Sequence, residues 1–402
     1  MAKILLSALF LAVAAVFFGA GFQSKAPGAL RPASSEPSLG HTVLPAKNGG
    51  SLPSKPVNVK SILDQRAATI NIPALQKAND PGLQKLAEYE TATSGAFGGM
   101  MIFVQLPLSV KRAPGDASDM AAALKEYAKL GIKPLVIVEP SNDNGTIDFS
   151  KFASGYYDPA VQSYFAALKQ QGISDQQMGM WVPFPEPNTD SWGENNSRSQ
   201  DFVSAFNGYA VIFKKYFPSA RLSIMLDSQT YNYQTGDYSY ASLEPYISGI
   251  NKSYISSFGL QGFPWAAQPG TDDVTVTDAA VFLNADNAVA AAKSLGVGSI
   301  WFNTGTYRAM FTNNLARTVT ATAAQRALIL DSILGQTVKA QAAGFNVSVN
   351  IFAQNKSADP EAIDWSYWTA PAGIKDPDGL ALSNFASKAS QAGIFPYVFD
   401  SN

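Results

Sequence analysis

The chain has 402 residues, 46% of them hydrophobic and 15% charged, with a formal net charge of −2. That length supports a large core, and the near-neutral balance carries no electrostatic footprint for nucleic acid. The absence of cysteine excludes disulfides, thiolate metal sites and thiol nucleophiles, and His41, the one histidine, cannot support a Ser-His-Asp triad or a histidine-rich metal site.

Acid/base chemistry near neutral pH therefore falls to carboxylates, and nothing calls for a metal or a cofactor. At the N-terminus Lys3 precedes an apolar or small-residue run from Ile4 to Gly21, so residues 1–26 read as a secretory signal. An uncleaved anchor through residues 4–21 is the alternative, because the run nearly spans a bilayer. Ser24-Lys25-Ala26 has small residues at cleavage spacing, although Pro27 follows. Residues 27–60 are rich in Pro, Ser and Gly without periodicity, which predicts an extended tether with His41 solvated in it. The expected location is outside the cytoplasm, secreted or held at a membrane.

From residue 61 to 402, strand-like runs alternate with helix-like ones. "GMMIFVQLPL" precedes "DMAAALKEYAKLG", "KPLVIVEP" precedes "DPAVQSYFAALKQQG", and "MGMWVPFPE" precedes "DFVSAFNGYAVIFKKYF". The rhythm continues through "RLSIMLD" with "ASLEPYISGI" and "YISSFGLQGFPW" with "DAAVFLNADNAVAAAKSLG". It ends in "GSIWFNTG" with "TAAQRALILDSILGQTVKAQAAG" and "NVSVNIFAQN" with "GLALSNFASKASQAG". Continuous apolar strands fit a parallel sheet covered on both faces, and no glycine-rich phosphate loop follows any of them. The α/β class is predicted as a (β/α)8 TIM barrel, with an eighth strand expected N-terminally near "ATINIP" at 68–73.

Function in such barrels gathers at the C-terminal ends of the strands. Those ends offer Gln105, Glu139, Glu186, Asp227, Phe263 with Trp265, Asn303, and Gln354 with Asn355. Trp192, Tyr231, Tyr233, Trp265, Tyr307, Trp365 and Trp368 are interleaved with them. Taken singly, each aromatic is accounted for by core packing. Together, aromatic faces for C–H surfaces and placed polar groups for hydroxyls suit a polysaccharide or oligosaccharide. "SNDNGTID" lacks the spacing of a calcium loop and reads as a turn, and "QPGTDD" reads as a loop over the barrel mouth. Asn144, Asn195, Asn251, Asn346 and Asn355 open glycosylation sequons.

"KPLVIVEP", "FASGYYDPAVQSYFAALKQQG" and "WVPFPEPNTDSWG" together resemble glycoside hydrolase family 26, the β-mannanase-like group. In that family a strand ends in Trp-Glu-Pro, an SGxYD segment follows, and the next strand ends in His-Glu-x-Asn-Gly with the general acid/base. Glu139-Pro140, Ser154-Gly155 with Tyr157-Asp158, and Glu186 with Asn188 match these motifs. "SSFGLQGFPW", with Phe263 for a tyrosine, and the segment ending Asp364-Trp365 extend the resemblance over roughly 99 to 370. It implies Glu186 as acid on strand four and Asn188 and Phe263 at the substrate. The sequence departs at Pro185, where the family has His, and at Asn303, where the family's Glu-x-Gly carries the nucleophile. A retaining pair about 5 Å apart is then missing one carboxyl, whereas an inverting pair about 6.5–9.5 Å apart is still available.

Two readings remain. One is a hydrolase of a β-linked polysaccharide, of the β-mannan or β-glucan class. Glu186 is then the acid, with Trp181, Pro185 and Pro187 raising its proton affinity, and Glu139, Asp227, Asp190 or Glu194 is the second carboxyl. The other is a barrel that binds glycans at the cell envelope without cleaving them. In both readings the protein is expected to be a monomer.

Overall fold

The computed structural model describes the chain from Gly99 to Phe399, with residues 84, 86–88, 91 and 97 before it. It leaves out 142–146, 236, 265–276, 308, 313–316, 354, 357–362 and 365–376. Eight parallel strands close into a barrel: β1 (Gly99–Pro107), β2 (Lys133–Ser141), β3 (Met180–Pro183), β4 (Arg221–Asp227), β5 (Ser257–Gln261), β6 (Ser299–Gly305), β7 (Asn346–Phe352) and β8 (Phe395–Phe399). Helices α1 (Ala113–Leu130), α2 (Asp158–Gln170), α3 (Ser199–Tyr216), α4 (Ala285–Leu295), α5 (Ala323–Ala342) and α6 (Pro377–Gln391) connect successive strands. The helix expected between β4 and β5 is a single turn, Glu244–Ile247. The fold is a (β/α)8 barrel.

Local signals explain the helix ends. Pro114 and Asp116 open α1 and left-handed Gly131 closes it, while Thr322 and Gln325 form a reciprocal capping box at the start of α5. Among the described residues no helix is long and apolar enough to cross a membrane, and the apolar run 4–21 lies outside them.

The eighth strand corrects the sequence expectation. The stretch 68–73 lies outside the described residues, and the wall closes without it. β8 pairs with β7 on one side and β1 on the other, and β1 pairs with β2. β8 was hidden because Pro396 interrupts a short apolar run, and proline argues against a central strand. Its ladder with β1 is correspondingly short, Gly99 with Tyr397 and Met100 with Val398. Glu186 therefore follows the third strand in chain order, not the fourth. Counted round the wall from β8, however, β3 stands fourth and β6 seventh. Following the register once around from Gly99 returns to Pro107, eight residues along the same strand, which is the stagger of a TIM barrel.

Alternation along the strands separates two cores. Met101, Leu135, Ile137, Met180, Val182, Met225, Trp301 and Phe352 fill the barrel, whereas Val136, Val138, Trp181, Ile224, Phe258 and Phe302 pack under the helices. Inside the wall, the Trp301 indole lies over Gly259, its register partner, and donates to Oγ of Ser223 at 2.8 Å. A Cβ at Gly259 would overlap Cε2 and Cζ2 of that indole. Gly259→Ala is expected to lower stability by about 1–3 kcal/mol through overpacking, read as a lower urea midpoint; an unchanged midpoint would contradict this packing.

Candidate active site

The polar strand ends of β2, β3 and β4 bring Glu139, Glu186 and Asp227 to one rim of the barrel. Glu139 lies two residues beyond inward-facing Ile137, is half-buried and has Gln105 as its register partner.

Glu186 sits on a distorted extension of β3. Phe184 (φ 52°) and Glu186 (φ 53°) are the non-glycine residues with left-handed backbone among those described. Each precedes a proline, which already narrows the backbone choices of the residue before it. The cost, on the order of 1–2 kcal/mol per residue, is borne because the surroundings over-determine the kink. Phe184 N–H donates to Val138 O at 3.0 Å, and Glu186 N–H donates to Met225 O at 3.1 Å, so both walls hold it. Trp192 Nε1 donates to Pro185 O at 2.6 Å, and the Thr189 hydroxyl donates to Glu186 O at 2.9 Å. The Phe184 ring is buried edge-on to Phe149, Phe152 and Tyr209. Half-buried Glu186 is thus displaced from regular strand geometry while Pro187 and Asn188 beyond it are buried.

Three expectations change here. Trp181 does not desolvate Glu186: its side chain points to the helices, where Nε1 donates to the Tyr209 hydroxyl at 2.7 Å. Asn188, expected at the substrate, is 1% exposed. Its Nδ2 donates to the carbonyls of Asp227 and Gln229 at 2.9 and 3.0 Å, and its Oδ1 accepts from Asp227 N–H at 2.9 Å. It bolts the Glu186 loop to the end of β4. Asn188→Leu would strip those partners and is expected to cost about 3 kcal/mol, measured by urea unfolding. Tyr307 is fully buried, and Phe263 nearly so, in the barrel interior, with Phe263 edge-on to Phe352 at 6.0 Å. Each lies two residues beyond the end of its strand, above Gln261 and Gly305.

Asp227 is a strongly perturbed carboxyl. Burial pushes it up to about 6, against hydrogen bonds from Gln229 N–H, Gln261 and Ser228. Its Oδ1 accepts from Gln229 N–H at 2.8 Å and its Oδ2 from Gln261 Nε2 at 3.2 Å. Gln261 in turn accepts from Asn303 Nδ2 at 2.6 Å, and Asn303 Oδ1 accepts from Asn350 Nδ2 at 2.7 Å. Sequence reasoning missed Gln261 and Asn350. Each lies one pleat below an inward aromatic, Phe263 and Phe352, and period-two counting down the strand would have found both.

Beyond β4, a hairpin of Thr230–Asn232 and Asp237–Ser239 carries Tyr231, whose ring meets Tyr233 at 4.9 Å and Tyr238 at 5.0 Å. The Tyr238 hydroxyl donates to Asp190, and Tyr238 and Tyr240 stay exposed. Asp190 is therefore committed, and Glu194 is exposed on a short 3₁₀ turn. Trp192 is half-buried against Phe149. Trp265, Trp365, Trp368 and Gln354 lie outside the described residues, and Asn355 is described by its backbone in a small antiparallel sheet. No metal-binding cluster of three or more His, Cys, Asp or Glu occurs among the described residues.

No family model and no curated protein matches the chain. Solved structures similar to it include a β-glucosidase from Thermotoga maritima, 9% identical with a TM-score of 0.49, covering 77% of this chain and 87% of that one. A β-glycosidase is 10% identical with a TM-score of 0.47, covering 75% and 85%. A fungal β-1,4-galactanase is 13% identical with a TM-score of 0.47, covering 74% and 90%. These scores add nothing to the barrel that the strand pairing already establishes, and those activities are the neighbours' own.

Proposed function

We propose that this barrel is a secreted glycoside hydrolase acting on a β-linked polysaccharide of the β-mannan or β-glucan class. Glu186 is its general acid and Asp227 its base. The observation that carries this reading is the pair itself: two carboxyls on adjacent strand ends, one on a backbone held in left-handed geometry, the other held near 6. Glu186 gives its proton to the glycosidic oxygen as the C–O bond breaks. Asp227 takes a proton from the water that attacks the anomeric carbon from the opposite face, so the product configuration inverts. Glu139 on the neighbouring strand and the tyrosine hairpin would bind hydroxyls and sugar faces. The test is hydrolysis of β-mannan, β-glucan and xylan with the first-formed anomer read by NMR. Retention of configuration, or no cleavage of any of them, overturns this assignment.

A second reading, a glycan-binding barrel without turnover, is favoured by one observation: Asn303 is 2% exposed and hydrogen-bonded through both ends of its amide, not free as a reacting group. Binding of a β-glycan by wild type without cleavage would select it. If Glu186 is instead the surviving half of a retaining pair, Asn303→Glu should create or strongly raise activity on an activated substrate.

A further inference from the structure

We propose that Asn303 is a positioning residue: accepting from one neighbour and donating to the next, it sets the direction of a side-chain hydrogen-bond chain that ends on Oδ2 of Asp227. The inference deepens the reading of Asp227 as the base and rests on it for its consequence, but not for its test. Asn350, Asn303, Gln261 and Asp227 are register partners on β7, β6, β5 and β4, so their inward side chains stand shoulder to shoulder. Asn350 Nδ2 donates to Asn303 Oδ1, Asn303 Nδ2 to Gln261 Oε1, and Gln261 Nε2 to Asp227 Oδ2. Every link points the same way. The chain begins at Asn350, 0% exposed, whose Oδ1 has no hydrogen-bond partner among the described residues, so no acceptor bond from them competes to set the direction.

The amide at 303 transmits that direction because it accepts with its oxygen and donates with its nitrogen. A carboxylate could accept from Asn350 but has nothing to donate to Gln261. The Gln261 amide would turn over, its carbonyl oxygen would face Asp227, and Asp227 would have to carry the proton between them. As it stands, the chain presents a donor to Asp227 and keeps it an acceptor, which is what a base needs before it takes a proton from water. This gives a physical reason for Asn where the resemblance implies Glu: the position has been moved from reacting with substrate to orienting the carboxyl two strands away.

Asp227 has other titratable neighbours. Glu186 lies on the β3 extension beside it, and Tyr238 and Tyr240 on and beside the hairpin both feel its charge. The test therefore uses neutral, near-isosteric substitutions, which leave those charges in place. The carboxyl-carbon NMR signal of Asp227, assigned by its loss in Asp227→Asn, is titrated in the full chain, in Asn303→Leu, in Gln261→Met and in the double variant. Gln261→Met is expected to raise the proton affinity of Asp227 about tenfold, the worth of one donor to a charged acceptor, and Asn303→Leu about threefold. With Gln261→Met already present, Asn303→Leu should add nothing, because its path runs through that amide. Asn303→Ala, which removes the amide without overpacking the site, should shift the titration in the same direction as Asn303→Leu. An unchanged titration in both Asn303 variants overturns the proposal, and so does a shift by Asn303→Leu that persists undiminished beside Gln261→Met. The measurement needs no turnover, so a barrel that cleaves nothing defeats the proposed function and leaves this result standing.

Discussion

Glu186→Gln is expected to reduce cleavage of β-linked glycans by about three orders of magnitude, the scale of removing a general acid. An activated substrate, whose leaving group needs little protonation, should recover much of the loss. That recovery distinguishes an acid from a residue that merely shapes the rim. The left-handed backbone adds a second expectation. Glu186→Gly removes the same carboxyl and also the clash of a Cβ at φ 53°. The glycine variant should therefore exceed the glutamine variant in stability by about 1 kcal/mol. Equal melting of the two would mean that the kink stores no strain, and an active glutamine variant would remove Glu186 from the chemistry.

Asp227→Asn is expected to abolish turnover while making the protein more stable at neutral pH. The carboxyl is raised from its ordinary 3.8 to about 6 in the folded chain, mainly by burial. Between those two values the folded state binds more protons than the unfolded one, so Asp227 favours folding at acid pH. That contribution disappears as pH rises through about 6. Above it, the buried charge is a burden of about 1–3 kcal/mol, discounted here for the donor that an amide would lose. The neutral variant should thus gain about 1–2 kcal/mol at pH 7.5, and the gain should shrink toward pH 4 in paired melts. The wild-type rate should fall on the acid side near pH 6, where Asp227 takes up its proton. A stability difference that does not vary with pH would show that Asp227 titrates normally.

The barrel was legible because its strands are continuous apolar runs with helices of ordinary length between them, and polar residues punctuate the strand ends. Glu139, Glu186, Asp227 and Asn303 were read as strand-end residues, and Asn303 is fully inside the wall. What escaped the sequence depends on which way a side chain faces. Tyr307 and Phe263 look like exposed loop aromatics until the interior is known to need their volume. Trp181 lies five residues from Glu186 yet belongs to the helix layer, because one step along a strand changes face. Asn188 matches a binding motif but is consumed by main-chain partners that only the folded loop brings within reach. Gln261 and Asn350 carry only the signal of alternation along their own strands; that they meet Asp227 and Asn303 lies in register across neighbouring strands.

The pairing of β8 with β1 governs when the protein can come into being. Gly99 and Tyr397 are partners, so the first strand of the wall waits for the last. At about 5–20 residues per second, a ribosome needs roughly 15–60 s to add the intervening chain. Throughout that interval β1 has an open edge, and once β7 is made it presents a second, neither of which a nascent barrel covers from within. The wall therefore cannot close before Tyr397 has left the ribosome, whatever the earlier strands have done. A stop codon ahead of Phe395 would leave both edges unpaired for good, and the product should aggregate instead of folding to a seven-stranded remnant.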